Sequence, residues 1–339
     1  MKLKKVLTID GGGIRGVIPA SILANLEARL QIAKNDPNLR IADCFDMLAG
    51  TSTGGILVSL FLSPQRYRAS EILEFYQQLG PTLFHRTIWQ MAASGFGLFR
   101  SRYKEDALYD FSKKLLGDTY ISEVAKECLI TAYEMSSRKA LLFSKHAVTK
   151  YGSMADYRLC DIVRATTAAP TYFSPAKVYP RSSHEAAEKG ASAESLPFRN
   201  LVDGGIYANN PSMCALVESI KLWPDVGITG YSMLSVGTGK AEKPYLYEKT
   251  RRFGYIGWLS PIIDIMLSSV AETVNYQMNQ VFTSVGAPEN YIRIEPLLLD
   301  ADVDMDNASP KNIRALVNAA QYFIDHNGHL LDKLVETYS

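Results

Sequence analysis

Short apolar runs alternate along the chain with longer stretches in which apolar residues recur every three to four positions. The runs at residues 3–9, 45–49, 129–133, 141–143, 201–202, 231–236 and 291–294 predict strands, since they are short, apolar and bounded by turn-forming residues. Ile18, Ile22, Leu26 and Leu30 share one face of a helix over residues 17–33. Residues 54–62 predict a helix that leaves a strand through one tight turn, and residues 156–168 a helix that stops before Pro170. Trp258, Ile262, Met266, Val270, Val274 and Met278 keep a four-residue spacing through a long helix at 258–282, a stripe suited to a core or a subunit contact. Ser309 as N-cap and Pro310 at the first helical position open a C-terminal helix over 309–334. This alternation predicts an α/β fold, a three-layer α/β/α sandwich around a central, mostly parallel sheet.

Neither a repeat nor a linker breaks the pattern, so residues 1–339 are expected to form a single domain. Two stretches read as insertions. Residues 181–195 are rich in Ser, Ala, Glu and Gly without apolar periodicity, and predict an exposed, mobile loop. Residues 84–103 mix Phe84, Trp89, Phe96, Phe99 and Tyr103 with His85, Arg86, Arg100 and Arg102. That mixture suits either a helical cap on the core or a lid that meets a membrane surface.

Composition narrows the class. A hydrophobic content of 47%, a charged content of 21% and a net charge of +1 are ordinary for a globular protein and give no bulk electrostatic reason to expect a nucleic-acid polymer as partner. The four cysteines, Cys44, Cys128, Cys160 and Cys214, form no Cys-x-x-Cys pair and read as free thiols of a reducing compartment. The basic N-terminus is followed by an apolar run too short for a signal peptide, and no stretch is long enough to span a bilayer. A cytoplasmic location with only peripheral membrane contact follows as the expectation.

Three small-residue turns carry the candidate chemistry. Gly50-Thr51-Ser52-Thr53-Gly54 stands between a strand and a helix, and a Gly-x-Ser-x-Gly turn there holds a serine hydroxyl out of the chain as a nucleophile elbow. The same pentapeptide also occurs as a plain connection. Asp10-Gly11-Gly12-Gly13-Ile14-Arg15-Gly16 follows the first strand and opens the first helix. A dinucleotide fingerprint is formally met by Gly11, Gly13 and Gly16, but Asp36 lies in a turn where an acidic strand end is needed. A P-loop lacks its Gly-Lys-Ser/Thr. Consecutive glycines at a helix N-terminus suit an oxyanion hole, with backbone amides converging on a small anion.

Ser52 then needs a base. Of the five histidines, His326 and His329 have the order of an α/β-hydrolase triad but fall in a predicted helix; His85 and His184 fall in the two insertions, and His146 has no supporting context. Asp203, in Asp203-Gly204-Gly205, ends a short strand and is either a base or an ordinary Asp-Gly turn. Asp300, Asp302, Asp304 and Asp306 alternate as in a calcium loop, but Met305 and Lys311 stand where a glycine and a glutamate are required, so no metal is expected.

Residues 10–16, 50–55 and 203–205 together resemble the three ordered motifs of the patatin-like phospholipase family. Residues 165–175 and 234–239 resemble its flanking segments, and the likeness covers roughly residues 5–300. The resemblance implies a phospholipase A type of lipid acyl hydrolase that needs no cofactor. Ser52 would attack the ester and Asp203 act as base, without histidine. Gly11, Gly12, Gly13 and Arg15 would build the oxyanion loop, with the Thr53 amide as a further donor. Gly16, Gly50, Gly54, Gly204 and Gly205 would complete the motifs. Arg15 would hold the loop or meet a lipid phosphate. The implied partners are a phospholipid or other acyl lipid, a membrane surface, and a second copy of the chain. Some bacterial relatives are anti-phage effectors switched on by a cyclic nucleotide, which makes the basic and aromatic residues 245–255 a candidate nucleotide contact. The alternatives are a general lipid esterase and a catalytically silent lipid-binding protein.

Overall fold

The computed structural model describes residues 3–83, 106–242 and 244–339, so the aromatic stretch at 84–103 lies outside the described residues. Its strands are β1 (Lys4–Ile9), β2 (Met47–Gly50), β3 (Glu127–Glu134), β4 (Lys139–Ser144), β5 (Ala176–Val178), β6 (Arg199–Asp203), β7 (Tyr231–Val236) and β8 (Tyr291–Ile294). They form one sheet in the order β5-β6-β3-β2-β1-β7-β8, with β4 also on β3. β3, β2, β1, β7 and β8 run parallel to one another, whereas β4, β5 and β6 pair antiparallel.

Successive side chains of a strand face opposite sides, and both sides are dry here, as a parallel sheet requires. Val6, Met47, Leu129 and Met233 pack against Leu216 of the Ser212–Leu222 helix and Met278 and Phe282 of the Tyr255–Ser284 helix. Leu7, Leu48, Ile130 and Leu234 face a second core built from the Val17–Lys34, Thr53–Leu62, Pro310–His326 and Gly328–Tyr338 helices. The result is the three-layer arrangement expected from the strand and helix alternation.

Register explains how the candidate residues meet. Leu129 and Ile130 pair with β2 on one edge and with β4 on the other. Ala132 to Glu134 pair with both β4 and β6. β2 and β6 therefore occupy the same edge of β3 and run toward each other. Gly50 lies opposite Ile130 and Asp203 opposite Ala132, so the turn after β2 and the turn after β6 collide.

Several expectations change. Residues 181–195 hold a helix, Arg181–Glu188, where a loop was expected. It is fastened by Arg181 to Asp156 (3.2 Å) and Glu185 (3.6 Å), and by the Ser183 hydroxyl donating to the Pro197 carbonyl (2.7 Å). The C-terminal helix is two helices, broken where the Asn327 side chain donates to the Phe323 carbonyl (2.8 Å) and caps the first. The stripe of the long helix is buried only at its C-terminal end: Met278 is fully covered, whereas Trp258, Ile262 and Met266 are exposed.

Candidate active site

Ser52 is the N-cap of the Thr53–Leu62 helix and has φ 54° and ψ −119°, a backbone conformation that costs a non-glycine residue about 1–3 kcal/mol. The surroundings hold it there. The Ser52 amide donates to the Thr166 hydroxyl (2.9 Å), and the Gly54 amide to the Thr51 carbonyl (2.8 Å). A Cβ on Gly54 would stand 2.1 Å from the Ile9 carbonyl oxygen, so only glycine lets the turn pass this close to β1. The Ser52 hydroxyl makes no capping bond to its own helix and stands beside the Asp203 carboxylate, whose charged form it favours.

Asp203 ends β6 and is 5% exposed. Burial pushes its pKa up to about 7, opposed by the neighbouring Ser52 hydroxyl and by the Gly205 amide, which donates to Oδ1 at 2.7 Å. Hydroxyls beneath tie the two turns together. Thr51 donates to the Ala208 carbonyl (2.6 Å), so it accepts from Thr131 (2.8 Å), and β3 thereby grips both the elbow and the turn after Asp203. Gly204 lies against the Thr131 side chain.

The glycine loop is anchored residue by residue. Asp10 makes a two-pronged ion pair with Arg293 of β8 (2.8 and 2.6 Å), and Arg293 also meets Glu295. Burial raises the Asp10 pKa to about 6 against the pull of Arg293. Burial also works against the Arg293 charge, but Asp10 and Glu295 outweigh it and hold its pKa above the usual arginine value. The Gly11 amide donates to the Asn209 carbonyl (3.1 Å), and the Gly11 carbonyl accepts from Thr238 (2.8 Å). Gly13 has φ +58°, and a Cβ there would stand 2.3 Å from the Met305 carbonyl, which accepts the Ile14 amide at 2.9 Å. Among the described residues no acceptor stands against the amides of Gly12 and Gly13, and both residues line the cavity.

Arg15 is 7% exposed, is not among the cavity lining, and has a buried Nε without a hydrogen-bond partner among the described residues. Burial lowers its pKa. Gly16 packs against the hydroxyls of Thr53 and Tyr76, which bond to each other; burial raises the Tyr76 pKa.

Ser52, Asp203, Gly12 and Gly13 open onto one cavity of about 230 Å³. Its walls are apolar: Ile56, Leu60, Ile72, Phe75, Leu108 and Phe111 on one flank, Ile206, Ile263, Met266 and Leu267 on another. Its described lining contains no histidine. His326 stacks on Tyr322 and bonds its carbonyl (2.8 Å), and His184 packs between Tyr120 and Tyr179. His85 lies outside the described residues.

Four contributors were not singled out for the site from the sequence. Arg293, Thr238 and Asn209 lie far along the chain from the residues they serve, and nothing local marks them. Met305 stood only inside the acidic turn, which proves to be the wall that receives the glycine loop.

The description "Patatin-like phospholipase" matches residues 7–216 of the chain. Patatin-like protein 4 of Arabidopsis thaliana is 30% identical, with 96% of this chain and 84% of that protein covered. Patatin-like protein 2 of Oryza sativa subsp. indica is 32% identical, covering 98% and 86%. A Solanum tuberosum protein named probable inactive patatin-3-Kuras 1 is 31% identical, covering 93% and 85%. Among solved structures, VipD from Legionella pneumophila aligns with 96% of this chain and 67% of its own at a TM-score of 0.34 and 11% identity, too slight a likeness to carry an argument. Three turns at the ends of β1, β2 and β6, converging on one apolar cavity, thus sit in a chain that belongs to the patatin-like phospholipase family.

Proposed function

We propose that the chain is a lipid acyl hydrolase that cleaves carboxylic esters of phospholipids through Ser52 and Asp203. One observation carries the reading: the Ser52 hydroxyl stands beside a buried carboxylate whose pKa is raised to about 7, at the wall of an apolar cavity. A carboxylate of ordinary pKa is a poor base for an alcohol, and burial brings Asp203 close to the working pH. Ser52 Oγ bonds to the ester carbon as its proton passes to Asp203, and the carbonyl electron pair moves onto oxygen. The Gly12 and Gly13 amides, helped by the N-terminus of the Thr53–Leu62 helix, stabilise that oxyanion. The carbonyl re-forms, the alcohol leaves with the proton from Asp203, and water then attacks the acyl-enzyme with Asp203 as base again. The Gly11 amide is already spent on Asn209, so its part is to hold the loop. Arg15 backs the loop in the same way.

The apolar flanks suit an acyl chain. Exposed Leu246, Tyr247, Trp258, Ile262 and Met266 stand with exposed Lys249, Arg251 and Arg252, and Met266 also lines the cavity. Aromatic and cationic side chains so mixed suit a lipid surface, which supports peripheral membrane contact from the cytoplasm. No described helix is long and apolar enough to cross a membrane. The relatives above are plant proteins and lend no support to activation by a cyclic nucleotide or to an anti-phage role.

The test is product analysis. Purified chain is incubated with mixed phospholipid vesicles and with a p-nitrophenyl ester, without added calcium. Free fatty acid should appear, and Ser52→Ala and Asp203→Ala should each abolish it while still melting cooperatively. A folded wild type that releases nothing would instead favour a silent lipid-binding protein, a reading kept open by the relative named probable inactive.

A further inference from the structure

Asn209, in the turn after Asp203, has a side chain that neither the fold nor the dyad accounts for. Its backbone carbonyl holds Gly11, but its side chain does something else. The residue is 6% exposed and lines the cavity, yet its buried Oδ1 has no hydrogen-bond partner among the described residues. Oδ1 is an acceptor and lies buried, so a negatively charged partner could be met only by the other end of the amide, Nδ2, which no described residue accepts from.

Two glycines locate the carboxamide. A Cβ on Gly11 would stand 2.4 Å from Asn209 Oδ1 and 3.2 Å from Ser52 Cβ. A Cβ on Gly205 would stand 3.1 Å from Asp203 Oδ1 and 3.4 Å from Asn209 Oδ1. The amide therefore lies among nucleophile, base and glycine loop. With Oδ1 turned into the protein and the residue lining the cavity, Nδ2 is the end offered to a substrate.

We propose that the Asn209 Nδ2 group is a catalytic donor to the oxyanion, a third beside the amides of Gly12 and Gly13. This rests on the hydrolase reading above. No described residue accepts from this donor, and it would gain a charge-assisted bond only when the carbonyl electron pair moves onto oxygen. An interaction made chiefly in the transition state raises kcat and leaves KM alone. Such a donor also offsets the weakness of a carboxylate as base.

Asn209→Ala and Asn209→Leu remove the amide and keep the backbone bond to Gly11; leucine also keeps the shape. Both are compared with wild type for p-nitrophenyl ester hydrolysis across the pH range in which Asp203 titrates, for thermal melting, and for labelling of Ser52 by a fluorophosphonate, whose P=O oxygen takes the oxyanion position. The expected result is a kcat lower by about 10²–10³-fold in both variants. KM and the apparent pKa of the rate profile should hold, and labelling should slow in parallel. Asn209→Leu should melt no lower than wild type, since an unpaired amide is replaced by an apolar group. Unchanged kcat and labelling in the variants would overturn the proposal alone. So would a shifted rate-profile pKa, which would mean that Asn209 acts through Asp203, or a lowered melting temperature with raised KM in both variants, which would make it structural. A wild type inert to both ester and fluorophosphonate would overturn the hydrolase reading, and this proposal with it.

Discussion

Two buried carboxylates stand at two strand ends of the same sheet, and they are treated in opposite ways. Asp10, after β1, is clamped by both prongs of Arg293 and never meets the cavity. Asp203, at the end of β6, faces the cavity beside the Ser52 hydroxyl, accepts one backbone amide, and meets no cation among the described residues. Burial is the largest influence on both pKa values. What separates them is the neighbour: a guanidinium makes Asp10 a strut for the glycine loop, and its absence leaves Asp203 able to exchange a proton. A carboxylate that is costly to ionise is a liability for folding and an asset for general-base chemistry.

Removing each device should therefore have opposite consequences. Asp203→Asn should cut kcat by about 10³–10⁴-fold, as loss of a dyad base does, while raising stability at alkaline pH. Arg293→Met should leave Asp10 and Glu295 as two uncompensated acids facing each other, and destabilise the fold by about 3–5 kcal/mol at neutral pH, as loss of one member of a buried pair does. Kinetics and urea unfolding of the two variants decide it. An Asp203→Asn protein that is less stable than wild type at alkaline pH would break the comparison, because Asp203 would then be a strut as well.

The pH dependence sharpens the same contrast. In the proposed mechanism activity needs ionised Asp203, so kcat/KM should climb about tenfold per pH unit below about 7 and level off above it. Stability runs the other way. The unfolded Asp203 side chain gives up its proton near 3.8, whereas the folded one keeps it to about 7, so the folded state binds more protons between these values. This contribution is fully present below about 4 and lost as pH rises through about 7, a fall of up to about 4 kcal/mol. Urea midpoints measured across that window should show the fall in wild type and a smaller one in Asp203→Asn, the remainder coming from Asp10, whose pKa is raised to about 6.

The strands other than the three-residue β5 (Ala176–Val178), the elbow and the glycine loop were legible because each is written in consecutive residues. Alternation fixed the layers, and glycines marked the turns. The direction of β6 was not legible: two apolar residues, Leu201 and Val202, carry no sign of parallel or antiparallel pairing. That direction brings Asp203 to Ser52, since only a strand running head-on against β2 along the edge of β3 ends where β2 ends. The helix at Arg181–Glu188 escaped notice for a related reason. It is fastened by Asp156 and Pro197, contacts distant in sequence, and not by an apolar stripe of its own.

The smallest expected change in stability comes from relaxing the backbone of the elbow. Ser52 is held at φ 54° by bonds from neighbouring elements, whereas Gly54, two residues on, is held by the closeness of β1. Ser52→Gly should relax the backbone and stabilise the fold by about 1 kcal/mol while ending activity. Gly54→Ala should do the reverse in stability, because a methyl group would stand 2.1 Å from a backbone oxygen that cannot move without the strand. Thermal melts of the two variants measure the difference. A Ser52→Gly protein no more stable than wild type would mean that the turn stores no strain.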